Sequence, residues 1–531
     1  MLHSVSAGPV VHDVRTIGSR FSSLLLLAVL VTSMLIPGSA MAQQTTTWTG
    51  AVSTDWSDAG NWTNGLPDGT NTAVFSSSTT NFPTVLANYQ AKNLLFTGTG
   101  PQSILGAGLL TLTSQSQIEN QGAYLATIDV DLRAVSIMRA SNPNGGGLLL
   151  NGGMIPVFAS TTTFDAVNAA NTITIAGSYS SGKIFKVGDG TLLITGTATP
   201  LSTSISRGTL QIGDGGTSGA LSGAVADSGA LVFNRSDALT LAGAISGTGD
   251  VSQIGGGTTT LTAASTYTGA TTITSGTLAL TGAGSIAASS GVHDDGTFDI
   301  SGTTAAGSSI TSLAGNGTVS LGTKVLTLTD AADTFGGGIT GTGALTLAGG
   351  TETLTGVNSY TGSTSVDGGN LVVKDGGQVT NANTLSIANP AASNATVTVS
   401  EQGSKYTGVG SVAIAGGAGA IGTLSVVDGG VVTALGGFSL AAGAGAAATV
   451  NVTGNGSSFT GNGTGFVRGH SVINVTDGGY LSDAGTLFGP AGDATIVVSG
   501  PGSRWDSRLA FGLAAGSQAI LNGGVLTAPT L

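Results

Sequence analysis

Residues 337–373 read GGITGTGALTLAGGTETLTGVNSYTGSTSVDGGNLVV, and residues 243–280 read GAISGTGDVSQIGGGTTTLTAASTYTGATTITSGTLAL. The two align almost throughout, with one extra glycine in the earlier copy, and Tyr267 and Tyr360 stand 93 residues apart. Within each copy Leu, Ile and Val alternate with Thr, Ser or Gly over a few positions before a glycine-bearing turn. That period of two predicts strands with one apolar and one hydroxylated face. Strands so short hold only when neighbours stack on them. A repeated strand–turn unit that buries its face solely against its neighbours predicts a solenoid.

The same pattern extends outward from these two stretches. GTLLITG (190–196), GTLQIG (208–213), GTLALTG (276–282) and ALTLAGG (344–350) are strands of this kind, and 188–216 is a degenerate copy without the tyrosine. From about residue 395 a second family begins. TVTVSEQGSKYTG (396–408), TVNVTGNGSSFTG (449–461) and TIVVSGPGSRWDS (495–507) share a strand, a Gly-Ser turn and an aromatic residue: Tyr406, Phe459 and Trp505. LSVVDGGVVTA (424–434), INVTDGGYLSDAG (473–485) and AILNGGVLTA (519–528) alternate with them. Asp-Gly-Gly or Asn-Gly-Gly turns recur at Asp375, Asp428, Asp477 and Asn522, where glycine accepts positive φ and Asp or Asn bonds its own backbone. Preserved strand–turn order with uneven spacing predicts an all-β fold. It is a right-handed parallel β-helix of Gly/Thr-rich short strands, with roughly 20 to 25 residues per coil and a rod on the order of 100 Å long.

Composition agrees with this reading and narrows the function. The chain has 531 residues, 89 of them glycine, with 8% charged and 5% aromatic residues. Its wealth of β-branched residues argues against disorder, and glycine lacks the period of three that collagen needs. The net charge of −12 gives no cationic footprint for nucleic acid. There is no cysteine, so disulfides, thiolate chemistry and cysteine-based zinc sites are excluded.

At the start, Arg15 and Arg20 precede the apolar run Leu24–Val31, Pro37 and Gly38 break it, and Ala40-Met41-Ala42 supplies a small-x-small cleavage pattern. Residues 1–42 therefore read as a secretory signal peptide. Residues 43–100 hold Trp48, Trp56 and Trp62 and read as a cap over the open end of the rod; the other reading is a carbohydrate-stacking face. Beyond it, 101–390 form the first repeat region, clearest at 243–282 and 337–373, and 391–531 the second.

The quoted units resemble the passenger-associated strand repeat of bacterial autotransporters. That resemblance implies a Gram-negative protein exported by the Sec machinery and moved across the outer membrane with the help of translocation and assembly machinery there. The passenger then folds outside as a β-helix, its repeats aiding transport and folding. A C-terminal β-barrel translocator is expected in such proteins, and aromatic-girdled strands of that kind are not visible here. On this reading the chain is truncated or relies on a separate translocator.

Chemistry-bearing constellations are sparse. His293, Asp294 and Asp295 stand together in GVHDDGTFDI, a pattern that reads either as a metal or acid–base site or as a solvated loop. Asp227-Ser228-Gly229 is a distant match to a serine-protease setting and reads better as a turn. GDGG at 213–216 is a lone turn, and GGAGAIG at 416–422 lacks the Lys-Ser/Thr of a phosphate loop. No catalytic, cofactor-binding or metal residue is assigned, and no cofactor is expected. The expected function is a non-enzymatic, structural or adhesive surface rod that contacts host surface, matrix, glycan or like molecules. The rival expectation is a β-helical lyase or hydrolase acting on polysaccharide.

Overall fold

The computed structural model describes residues 44–76, 81–136, 138–381, 383–408, 410–489, 493–509, 511–513 and 515–529. The signal-peptide reading of 1–42 lies outside them. Thr45–Leu531 form one compact unit, distinct from Met1–Gln44. Among the described residues there are sixty short strands and a single 3-10 turn, Ala59–Asn61. Every pairing between these strands is parallel and joins strands one coil apart, so the chain winds as a parallel β-helix.

Three faces run along the column. The first holds ten strands from Thr45–Thr47 to Ile245–Gly247, and resumes as ten strands from Gly307–Ile310 to Phe511–Gly512. The second holds eleven strands from Gln102–Ile104 to Leu313–Ala314, then nine from Thr334–Phe335 to Gln518–Asn522. The third is built in shorter sheets, the last running from Val357–Asn358 to Val525–Thr527. Where the sheet assignments change, hydrogen bonds carry each face through. Thr268 N donates to Gly247 O at 2.9 Å on the first, Gly336 N to Gly315 O at 2.8 Å on the second, and Ser359 N to Ile339 O at 2.9 Å on the third.

Coil length varies while register holds. Thr191 pairs with Thr209, 18 residues on, and Asn394 with Ile421, 27 residues on. The range is wider than the sequence expectation because loops leave the corners without disturbing the ladders. On the second face Ile128, Leu150, Ile175, Ile194, Ile212 and Phe233 stack in register and are all fully buried. Each such side chain is worth about 1.5–3 kcal/mol on removal from water. On the first face Ser309, Thr327, Thr346, Ser365 and Ser386 form the matching outward ladder of hydroxyls.

The second repeat family is a two-coil unit with longer strands than expected, seven residues each at Asn394–Ser400, Ile421–Val427 and Ala447–Thr453. Its inward ladder on the third face alternates aromatic and aliphatic: Tyr406, Val432, Phe459, Leu481, Trp505. A bulky ring every second coil leaves room that the intervening Val or Leu fills. At the neighbouring corner Asp375, Asp428 and Asp477 adopt φ of 55°, 52° and 53°, and the following glycines are positive too. These are type I′ turns, closed by Gly377 N to Lys374 O at 2.9 Å and its equivalents. The coil above each locks it: Ser404 Oγ accepts from Gly376 N at 3.1 Å, Ser457 Oγ from Gly429 N at 2.9 Å, and Ser503 Oγ from Gly478 N at 3.0 Å.

At the other end Trp48, Trp56 and Trp62 are buried, with Trp56 and Trp62 edge to face at 4.8 Å. Trp48 Nε1 donates to Asn81 O at 2.8 Å, and Trp62 Nε1 to Trp56 O at 2.9 Å. The loop that carries them crosses the otherwise unpaired edge of Thr45–Thr47, with Thr63 N bonded to Thr47 O at 3.1 Å. None of the three rings offers a face to a sugar.

Candidate functional site

The aligned stretches 243–280 and 337–373 occupy different faces. In the earlier copy Asp250–Gln253 lies on the second face and Thr258–Leu261 on the third. The equivalent strands of the later copy, Ala344–Leu347 and Thr351–Leu354, lie on the first and second. The unit is thus displaced by one face around the column, and the spacing of 93 residues is not a whole number of coils. What is retained is local: Tyr267 and Tyr360 are both buried, and each hydroxyl meets that of the threonine four residues on, at 2.6 Å to Thr271 and 2.5 Å to Thr364. Burial pushes the Tyr267 phenol up to about 12, so it stays neutral. Tyr179, in a stretch that the sequence reading did not align, bonds Lys183 O at 2.9 Å across the same interval.

The two carboxylate motifs singled out in the sequence are one device used twice. VADSGALVF (225–233) and VHDDGTFDI (292–300) each end a strand on an inward aspartate. Asp227 Oδ1 accepts from Gly229 N at 2.9 Å, and Asp294 Oδ1 from Gly296 N at 3.0 Å. On the next coil Gly247 (φ 108°) and Gly315 (φ 101°) lie so close to the backbones of Asp227 and Asp294 that any Cβ there would overlap them. Asp227 is first-face and Asp294 second-face, again one step apart. Strand alternation keeps the tempting trio from converging. His293 and Asp295 point outward and pair at 2.9 Å, while Asp294 is sealed inside. Backbone bonding from Asn316 and the His293 contact hold the Asp295 carboxyl below its usual range. Ser228 sits in the turn beside Asp227, with its amide bonded to Ile205 O at 2.8 Å.

Other buried charges escaped the sequence reading. Lys186 is fully buried, and its Nζ donates to the carbonyls of Val187, Gly188 and Arg207 at 2.9, 2.8 and 3.1 Å. Burial lowers it to about 8. Glu352 replaces, at the aligned inward position, the Thr259 of the earlier copy, and neither of its oxygens has a hydrogen-bond partner. Only an inward register, invisible in one dimension, distinguishes these from surface charges. Asp214, Gly215 and Gly216 of the GDGG turn are exposed, with Gly215 N bonded to Asn234 O at 2.8 Å, and 416–422 runs from a loop after Val412–Ile414 into the strand Ile421–Val427. Among the described residues no three or more His, Asp or Glu side chains gather as metal ligands would.

Residues 251–280 and 340–373 match the passenger-associated-transport-repeat family. The chain is also similar to the adhesin BmaC autotransporter of Brucella suis biovar 1 (strain 1330), 31% identical over 202 residues. That similarity covers 29% of this chain and 6% of the relative's length. No solved structure matches.

Proposed function

We propose that this chain, which carries two passenger-associated transport repeats, is the exported passenger of an autotransporter: a non-enzymatic adhesive rod displayed at the cell surface. The observation that carries this reading is that both matched segments are integral coils of a parallel column with mainly apolar inward ladders and hydroxyl-bearing outward ones. Export in this reading uses the Sec machinery and then the outer-membrane translocation and assembly machinery. The repeats assist because each coil that forms outside offers a complete edge on which the next can pair, which makes folding directional. The tryptophan loop over the first strand serves as the cap that stops pairing at that end. Adhesion rests on the similarity to an adhesin and on the outward ladders, which suit many weak contacts with matrix or glycan acting together.

The test is to express the chain in its own reading frame and label intact cells with an impermeant reagent, then to measure binding of purified protein to matrix and glycan arrays. Labelling of intact cells together with saturable binding is expected. Labelling only after permeabilisation, or release of reducing sugar from a bound glycan, overturns the reading.

A further inference from the structure

Three carboxylates are sealed inside the column between residues 225 and 355: Asp227, Asp294 and Glu352, none with accessible surface. Their immediate neighbours on the inward ladders are apolar or glycine: Asp227 lies between Ile205 and Gly247, Asp294 above Ile273, and Glu352 below Leu371. Lys186 and Gln253 lie one coil further back on the first two ladders. Oδ2 of Asp227, Oδ2 of Asp294 and both oxygens of Glu352 lack hydrogen-bond partners. Asp483, buried elsewhere, is different, since Thr486, Trp505 and Ser507 all donate to its carboxyl group.

The groups that face the three are mostly neutral or acidic, the exception being His293 on the outer side of Asp294, which is cationic only when protonated. Asp227 meets the amides of Gly229 and Leu231 in its own turn, the Asp250 carboxylate, and Gly247 and Gly249 overhead. Asp294 meets the amides of Gly296 and Phe298, has Asp295 and His293 on the outer side, and lies beneath Gly315 and Gly317. Glu352 meets the Leu313 backbone and the Asp333 carboxylate. Lys186, two coils before Asp227 on the same ladder, is already committed to three carbonyls.

We propose that the coils from Val225 to Val373 are an acid-strengthened segment of the column, closing more tightly as the solution is acidified because Asp227, Asp294 and Glu352 must carry protons to remain enclosed. Burial raises Asp227 and Asp294 from 3.8 to about 6, and Glu352 from 4.5 to about 9. Raised values mean that the folded coils hold more protons than the open ones. Stability from these groups is therefore complete below the unfolded values and is lost as pH rises, through about 6 for the aspartates and towards about 9 for Glu352.

Hydrogen exchange of the full secreted chain, corrected for intrinsic rates, reads this segment by segment between pH 5 and 8. Lys186, lowered to about 8, lies outside the segment, and the coils of 394–476 serve as the comparison. Opening of 225–373 is expected to grow about tenfold per pH unit above pH 6, through Glu352 alone. Glu352→Thr, the residue of the earlier copy, or Glu352→Gln where Thr does not fold, removes that dependence and reduces opening at pH 8. Asp333→Asn leaves most of it. Opening that is flat or falls with pH, or a dependence that survives both Glu352 variants, overturns the proposal.

Discussion

The phenolic oxygen of Tyr267 lies 2.6 Å from Oγ1 of Thr271, and neither side chain of the pair has accessible surface. Thr271 Oγ1 also meets Ser289 Oγ at 2.9 Å, and Ser289 Oγ bonds Gly269 O at 2.9 Å, so a chain of hydroxyls ties one coil to the next. Because the same tyrosine–threonine contact recurs at Tyr360 on another face, it belongs to the repeat and not to a place on the column. Tyr267→Phe is expected to cost about 1 kcal/mol. Thr271→Val, which strands the phenol and Ser289, is expected to cost about 1–3 kcal/mol. Urea denaturation of the purified chain measures both.

Most of the fold was legible in the sequence, and the reasons are physical. Alternation in GTLLITG and ALTLAGG marks strand faces, and type I′ turns advertise themselves as Asp-Gly. The displacement of the repeat by one face was not legible, because similarity reports a preserved local unit and says nothing of how many strands intervene. The inward setting of Glu352 was hidden for a related reason. In TETL it replaces the Thr259 of TTTL, and only the register Glu352–Leu371 shows that it points into the core. Asp227 and Asp294 were both noticed as possible chemistry, yet their kinship as one turn appears only when Gly247 and Gly315 are seen packed above them.

That close packing makes a coupled pair. A Cβ at Gly249 would collide with the Asp227 carboxyl group, so Gly249→Ala is expected to destabilise by about 1–3 kcal/mol. Asp227→Ala opens the space, and the double variant should be more stable than the sum of the two single changes predicts. A thermodynamic cycle from urea midpoints measures the difference; strict additivity would place the collision elsewhere.

The serine ladder gives an equally local prediction. Ser457→Ala removes the acceptor of the Gly429 amide and is expected to cost about 1–3 kcal/mol. Ser458→Ala, next to it but only partly buried, should stay within about 0.5 kcal/mol. Exchange of the Gly429 amide should quicken in the first variant alone.

Trp505 stands in the alternating ladder between Leu481 and Leu526, buried and donating from Nε1 to Asp483 Oδ2 at 3.1 Å. Trp505→Ala is expected to cost about 3–5 kcal/mol, with Trp505→Phe losing far less. Loss of cooperative unfolding beyond residue 480 by limited proteolysis would accompany the alanine variant.

The most direct measurement joins fold and placement on the living cell. Since the chain has no cysteine, Thr346→Cys with Ser365→Cys introduces two thiols on outward, register-paired positions of neighbouring coils. Neighbouring strands lie about 4.8 Å apart. A short, impermeant thiol cross-linker should therefore join the two on intact cells, whereas Thr346→Cys with Ser439→Cys, several coils apart on the same face, should label without joining. Absence of the link in the neighbouring pair, or reaction only after the outer membrane is opened, would contradict a surface-displayed parallel column.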